Sequence, residues 1–150
     1  MENNLVINAE NLILGRMASY AAKKALEGCT VDIVNAEKAI VTGTKEFIMR
    51  KLKERRHRTE PRYGPFFHKK EDRFVRRAIR GMLSYKHPRG LAAYKRIKCH
   101  IAIPLEFQDK QMQTFENMSL NKLTKLKYMD VKTICRLAGS KSFKMQEPGK

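Results

Sequence analysis

The opening of the chain passes from a strand pattern to a helix pattern and back, and this succession narrows the possible folds more than any other feature. Residues 5–7 form a short apolar run typical of a buried strand. Apolar residues then recur at helical spacing between Leu14 and Leu26, and Gly28 ends the pattern. Residues 31–34 predict a second strand. Strand, helix and strand within about 30 residues indicate a βαβ unit, and therefore a parallel sheet with a right-handed crossover.

The next helix is predicted over residues 45–56. Thr44 follows a turn and has the side chain preferred at a helix N-cap. The residues expected to face inward are Phe47, Ile48 and Leu52. A long basic and aromatic loop follows over residues 57–70, and loops of that length in compact domains are usually functional or disordered.

The clearest helix pattern covers residues 72–83, where apolar and basic residues separate onto opposite sides. The apolar side consists of Phe74, Val75, Ala78, Ile79, Met82 and Leu83. The basic side consists of Arg73, Arg76, Arg77 and Arg80. A solvated helix face usually includes Glu for pairing four residues away, and none lies between Arg73 and Leu83. The row of arginines is therefore predicted to be a binding surface rather than an ordinary solvated helix face.

Shorter elements complete the chain. A basic turn at residues 86–90 leads into a short helix that Pro88 can open. Residues 97–103 predict a strand closed by a proline, and residues 108–117 predict an irregular arm. A short helix is predicted over residues 130–138, and the end of the chain from about residue 144 is expected to be frayed.

Most of the positive charge lies in the middle of the chain. Residues 45–98 contain 19 Lys and Arg against 5 Asp and Glu, which gives +14 of the total net charge of +17. Residues 1–44 carry 4 basic and 5 acidic residues, a net −1. Like charges repel in a folded protein, so a polyanionic partner is the simplest reason to collect them. Nucleic acid is favoured first and an anionic membrane surface second.

Several other classes of protein are disfavoured. No apolar run approaches the roughly 20 residues of a membrane span, and residues 1–4 lack the basic start of a signal peptide. Cys29, Cys99 and Cys135 are far apart and odd in number, so we expect idle, reduced thiols rather than disulfides. The histidines do not combine with the cysteines at zinc-finger spacing, and no metal is predicted.

An enzymatic role has little support in the sequence. The first turn, residues 8–16, has one glycine where a dinucleotide site needs G-x-G-x-x-G. Residues 41–45 resemble a phosphate loop only superficially, because G-x-x-x-x-G-K-[ST] is missing. The acidic residues are dispersed and mostly flanked by Lys or Arg. A nucleotide-dependent enzyme remains an alternative, but no cofactor and no small-molecule substrate are predicted.

Aromatic residues lie among the basic ones, and this combination suits unpaired RNA bases better than duplex DNA. For Phe66, Phe67 and Tyr85, packing in the core is about as well supported as binding. For Arg16, an ordinary surface position at a helix start is about as well supported as binding. A DNA-binding role is a further alternative, but Asn and Gln, which read adenine, are absent from the arginine side of the helix.

Six segments occur in a specific order and spacing: Leu5-Val6-Ile7-Asn8-Ala9, Leu14-Gly15-Arg16-Met17-Ala18, Val34-Asn35-Ala36-Glu37-Lys38-Ala39, Gly64-Pro65-Phe66, Arg80-Gly81-Met82-Leu83, and Lys86 with Arg89-Gly90. With these segments, residues 5–139 resemble the universal large-subunit ribosomal protein family numbered thirteen. Arg-Gly-Met-Leu and residues 137–139 are closer to the archaeal and eukaryotic branch than to the bacterial one. Ser84-Tyr85 departs from the family, which usually has proline after Met-Leu.

The resemblance implies a three-layer α/β/α fold with a small, about four-stranded, mainly parallel sheet, basic loops and a C-terminal helical extension. It implies one domain over residues 1–150, with a core near residues 5–104 and an arm and short helix beyond. It also implies a cytoplasmic, non-enzymatic constituent of the large ribosomal subunit. Its partners would be large-subunit rRNA, during assembly and afterwards, and neighbouring large-subunit proteins, but no membrane. An extra-ribosomal regulatory role stays open.

The resemblance and the charge pattern agree on nearly all of the expected RNA contacts. The residues expected to contact rRNA are Arg16, Lys53, Arg55, Arg56, His57, Arg58, Arg62, Lys69, Arg73, Arg76, Arg77, Arg80, Lys86, His87 and Arg89.

Overall fold

The computed structural model of the chain describes residues 4–58, 60, 62–64, 66–123 and 126–140. The strands are β1 (Asn4–Asn8), β2 (Thr30–Val34), β3 (Ile40–Thr42), β4 (Ile97–Cys99) and β5 (Tyr128–Asp130). The α-helices are α1 (Leu14–Leu26), α2 (Lys45–His57), α3 (Glu71–Arg80), α4 (Pro88–Lys95) and α5 (Val131–Leu137). Short 3-10 helices cover Ala36–Lys38, Leu105–Phe107, Glu116–Met118 and Leu120–Lys122.

These strands form two small sheets. A parallel sheet has the order β1-β2-β4, with Ile7 opposite Ile33 and Ile33 opposite Cys99. β3 and β5 form an antiparallel pair, with Val41 opposite Met129. The parallel pairing of β1 with β2 across α1 confirms the predicted βαβ unit. The parallel sheet has three strands rather than about four, because β3 pairs with β5 from near the end of the chain.

One face of the parallel sheet carries the main core. Its fully buried side chains include Ile7, Ile33 and Ile97, one from each strand. They pack against α1, α3 and α4, and α5 adds Val131 and Cys135. The buried side of α1 is rich in alanine, whose small side chain permits close packing between helices and sheet. The C-terminal helix is therefore part of the main core.

Among the described residues, the other face of the sheet is covered without an α-helix. Val6 and Val34 pack against Phe107 of the 3-10 helix Leu105–Phe107. The arm beyond it is irregular, as predicted, and joins the edge of β1, where Gln113 N–H donates to Val6 O at 2.8 Å. The α/β class is confirmed, and the third layer consists of this turn and arm.

Local signals placed several helix ends correctly. Thr44 Oγ1 accepts a hydrogen bond from the backbone N–H of Phe47 at 3.3 Å, which confirms the predicted N-cap of α2. Pro88 is the first residue of α4, as expected. Asp130 and Gly139 flank α5, and Gly139 has a φ of +86°. The frayed end predicted from residue 144 lies outside the described residues.

Three local predictions were wrong. Phe47 is 42% exposed, and Lys51 Nζ lies 4.4 Å from the centre of its ring. Met82 is 45% exposed, because α3 ends before it and the helical spacing no longer applies. The predicted strand over residues 97–103 ends at Cys99, since the backbone turns at Ala102, whose φ is +57°.

Candidate nucleic-acid interface

The arginine row of α3 faces a concavity of about 480 Å³. The residues that line it are Phe66, His68, Arg73, Arg76, Arg77, Arg80 and Tyr94. Among the described residues, none of the four arginines has a carboxylate oxygen within 4.0 Å. Asp72 lies one turn before Arg76 and still makes no such contact. The row therefore keeps its full positive charge.

Aromatic rings hold two of these guanidinium groups in place. The Arg76 Cζ atom lies 4.6 Å from the centre of the Tyr94 ring, and the Arg80 Cζ atom lies 4.8 Å from that of Tyr85. Ring contact covers one flat face of a guanidinium and uses none of its in-plane N–H groups. The rings thus orient the two arginines without neutralising them.

Arg77 is held by the loop that precedes α3. Its Nη1 donates a hydrogen bond to the carbonyl oxygen of Phe66 at 3.2 Å. Its Cζ atom lies 5.8 Å from the centre of the Phe67 ring. This pair of contacts fixes the loop and the arginine row relative to each other.

The four arginines differ in their surroundings. Arg73 is exposed and makes no hydrogen bond, ion pair or ring contact with the described residues. Arg76 is half-buried, and its Nε is enclosed without an acceptor among them. Arg73 is the freest of the four, and Arg76 is the most constrained by packing.

The structure separates the three aromatic residues whose roles were open. Phe67 is half-buried and packs against the buried cluster of Ile48, Leu52 and Ile134. Phe66 is 62% exposed and Tyr85 is 37% exposed. Phe67 therefore belongs to the core, whereas the other two belong to the surface.

A second basic surface lies at the C-terminal end of α2. Lys53, Arg56 and His57 line a shallow groove of about 420 Å³. Arg55 and Arg58 are exposed beside it, and Arg62 is exposed in the following turn. The structure thus brings part of the predicted loop cluster onto one surface.

Two of the residues predicted to contact rRNA, Arg56 and Lys69, lie near the C-terminal end of α5. Arg56 Nη1 donates to the carbonyl oxygen of Ala138 at 3.4 Å. Lys69 Nζ lies 3.6 Å from the point where a Cβ of Gly139 would stand. Cations are favoured there, since the last carbonyls of a helix lack backbone donors. Arg56 therefore helps to dock α5, and Lys69 lies beside the same helix end.

The basic turn between α3 and α4 is held by a close backbone approach. Lys86, His87 and Arg89 are all exposed. Gly90 is buried, and a Cβ added to it would lie 2.2 Å from the carbonyl oxygen of Ser84. The turn can therefore pack onto α4 only because residue 90 has no side chain.

Arg16 lies in a different concavity, of about 890 Å³. It shares that space with Lys127 and with Thr44, the N-cap of α2. Its Nη1 donates to the carbonyl oxygen of Asn117 at 3.1 Å, which ties α1 to the arm. Sequence analysis did not single out Lys127 or the stacking role of Tyr94, because both depend on contacts between distant segments.

Other kinds of site find little support in the part of the chain that the structure describes. It contains no group of three or more His, Cys, Asp or Glu placed to hold a metal ion. Burial raises the pKa of the Cys99 and Cys135 thiols to about 12, so both are protonated at neutral pH. Among the described helices, none is long and apolar enough to cross a membrane.

These features define a basic α/β protein whose surface suits a polyanion. Residues 2–104 match the family model described as Ribosomal protein L13. The chain is 39% identical over 137 residues to large ribosomal subunit protein uL13 of Methanosarcina barkeri, with 91% of this chain and 98% of that protein covered. It is 50% identical over 104 residues to uL13 of Methanococcus maripaludis, with 67% and 76% covered. The chain belongs to the ribosomal protein L13 family, as its sequence motifs predicted.

Proposed function

We propose that this chain is a structural, non-enzymatic constituent of the large ribosomal subunit, in the cytoplasm. It binds large-subunit rRNA during assembly and in the mature ribosome, beside other large-subunit proteins. Support comes from the relatives, which carry the name large ribosomal subunit protein, and from the basic surface of this chain.

The observation that carries this proposal is the arginine row of α3. Four guanidinium groups share one concavity, and no carboxylate among the described residues neutralises them. Arginine forms paired hydrogen bonds with phosphate oxygens, and phosphate neutralisation supplies much of the affinity for nucleic acid. The row acts as a clamp that lowers the repulsion between RNA segments packed against it.

The other predicted contacts extend this surface. Lys53, Arg55, Arg56, His57, Arg58 and Arg62 contact RNA at the end of α2. Lys86 and His87 contact it at the turn before α4, and Arg89 contacts it from the first turn of α4. Arg16 reaches RNA from a position where it also holds the arm, and Lys69 reaches it from a position beside the end of α5. The rigid core keeps these groups in fixed relative positions.

Co-sedimentation with large subunits in high salt tests the proposal. The unmodified chain should stay bound, and the double variant R73E/R80E should be released. The matched control is K23E/K122E, which makes the same change of charge at two exposed lysines outside the proposed interface. Equal release of both variants, or no binding of the unmodified chain, would contradict the proposal.

A further inference from the structure

Phe66 differs from the other Phe and Tyr rings around the arginine row in having nothing stacked on it among the described residues. Tyr94, Tyr85 and Phe67 each lie against an arginine. Phe66 lines the arginine concavity, and within the described residues no cation and no second ring stacks on it. It is 62% exposed. A large apolar ring left open among cations indicates a site for a flat ligand that carries negative charge.

The turn before Phe66 supports this ring from one side. Gly64 has a φ of +78°, and a Cβ added there would lie 3.3 Å from two atoms of the Phe66 ring. The ring therefore lies against bare backbone, and a side chain at residue 64 would displace it. The support leaves the ring in place and its outer surface open.

A hydrogen bond connects the residue of the open ring, Phe66, to one of the arginines proposed to bind phosphate. Arg77 Nη1 donates to the carbonyl oxygen of Phe66 itself, at 3.2 Å. Arg73, with no partner among the described residues, lines the same concavity. A ligand can therefore contact the ring and both guanidinium groups at once.

We propose that this concavity binds a single unpaired nucleotide of RNA, with its base stacked on Phe66 and its phosphates held by Arg73 and Arg77. The proposal rests on the function proposed above, and it adds which part of an RNA enters this concavity. The volume of about 480 Å³ lies within the range of small-ligand sites, about 300–1,000 Å³. Bases inside a duplex are stacked on each other and cannot reach the ring, whereas an unpaired base can.

Three RNA probes test this inference with the full chain. They are a short single strand with 2-aminopurine at its centre, a strand of the same length in which every nucleotide is abasic, and an RNA duplex. The fluorescence of 2-aminopurine should fall on binding, since stacking quenches it. F66L should lower the affinity for the base-containing strand about tenfold, the scale of one base–aromatic stack. Its affinity for the abasic strand and for the duplex should not change.

Y63L is the matched control, because Tyr63 is 79% exposed in the same loop and does not line the concavity. It should bind all three probes as the unmodified chain does, and F66W should restore the affinity that F66L loses. Equal effects of F66L and Y63L, or equal losses on duplex and single strand, would overturn the inference alone. If the unmodified chain bound none of the probes, the inference and the proposed function would both fail.

Discussion

At the scale of single residues, the missing side chain of Gly90 shapes the basic surface. A Cβ there would lie 2.2 Å from the Ser84 carbonyl oxygen, closer than real Cβ contacts come. The backbone N–H of His87 also donates to that oxygen, at 2.9 Å. The turn that carries Lys86, His87 and Arg89 is thus clamped by backbone contacts, and its geometry depends on glycine.

We expect G90A to lower the free energy of unfolding by about 1–3 kcal/mol, since overpacking forces the backbone apart. Urea denaturation measures the change. G15A in α1 is the control, because no atom lies within 4 Å of the added Cβ. Alanine should stabilise that helix slightly, by up to about 1 kcal/mol. A G90A protein as stable as the unmodified chain would disprove the close approach.

The buried thiol of Cys135 predicts a loss of stability at high pH. Burial raises its pKa from 9.0 to about 12, so between these values the unfolded chain releases a proton that the folded chain retains. Stability should therefore fall as pH rises above about 9. Between pH 8 and pH 10, the free energy of unfolding of C135A should fall by about 1 kcal/mol less than that of the unmodified chain. Urea denaturation at the two pH values measures the difference. Equal losses would show that this thiol does not contribute.

At the scale of elements, α3 joins the core to the binding surface. Val75 and Ile79 are fully buried on one side, and the arginine row occupies the other. A helix held by its buried side cannot easily rotate, so the arginines keep their direction. The same helix is therefore expected to serve both stability and the proposed RNA binding, and its residues should divide between the two.

We expect R73A and R76A to differ in stability although both weaken RNA binding. R73A should change the free energy of unfolding by less than about 0.5 kcal/mol, since Arg73 is exposed and without partners among the described residues. R76A should cost about 1 kcal/mol, because the Tyr94 contact and the packing of its side chain are lost. Urea denaturation and filter binding measure the two effects. Equal stability losses would mean that the stacking contributes nothing.

At the scale of the whole molecule, charge governs association. The net charge of +17 is concentrated in residues 45–98, which include the arginine row and the turns beside it. The core beneath them carries few buried charges: Asp32 and Glu71 are the buried acidic residues among those described. Folding and the proposed RNA binding are thus expected to use largely different residues.

Salt should weaken RNA binding steeply. If the four arginines of the row neutralise four phosphates of a single strand, the logarithm of affinity should fall with the logarithm of salt concentration with a slope of about −3. The R73A/R77A variant should have a slope shallower by about 1.4, and the K23A/K122A variant should be unchanged. A flat titration of the unmodified chain would contradict electrostatic binding.

Local sequence patterns were enough to predict the βαβ opening, the cap of α2 and the separation of Arg73, Arg76, Arg77 and Arg80 from the apolar side of α3. Periodicity and capping depend on residues within a few positions of each other, and a single chain displays them directly. The motifs of the family could likewise be recognised in the amino-acid sequence alone.

The folded structure was needed to show that β3 pairs with β5, that Phe67 is packed inward while Phe66 stays exposed, and that Tyr94 holds Arg76. Each depends on contact between segments distant in sequence, such as residues 40–42 with 128–130. Local spacing cannot distinguish an aromatic ring that fills a core from one that faces solvent, because hydrophobicity favours burial equally for both. Whether a given ring is buried depends on which side chains lie next to it in the folded chain.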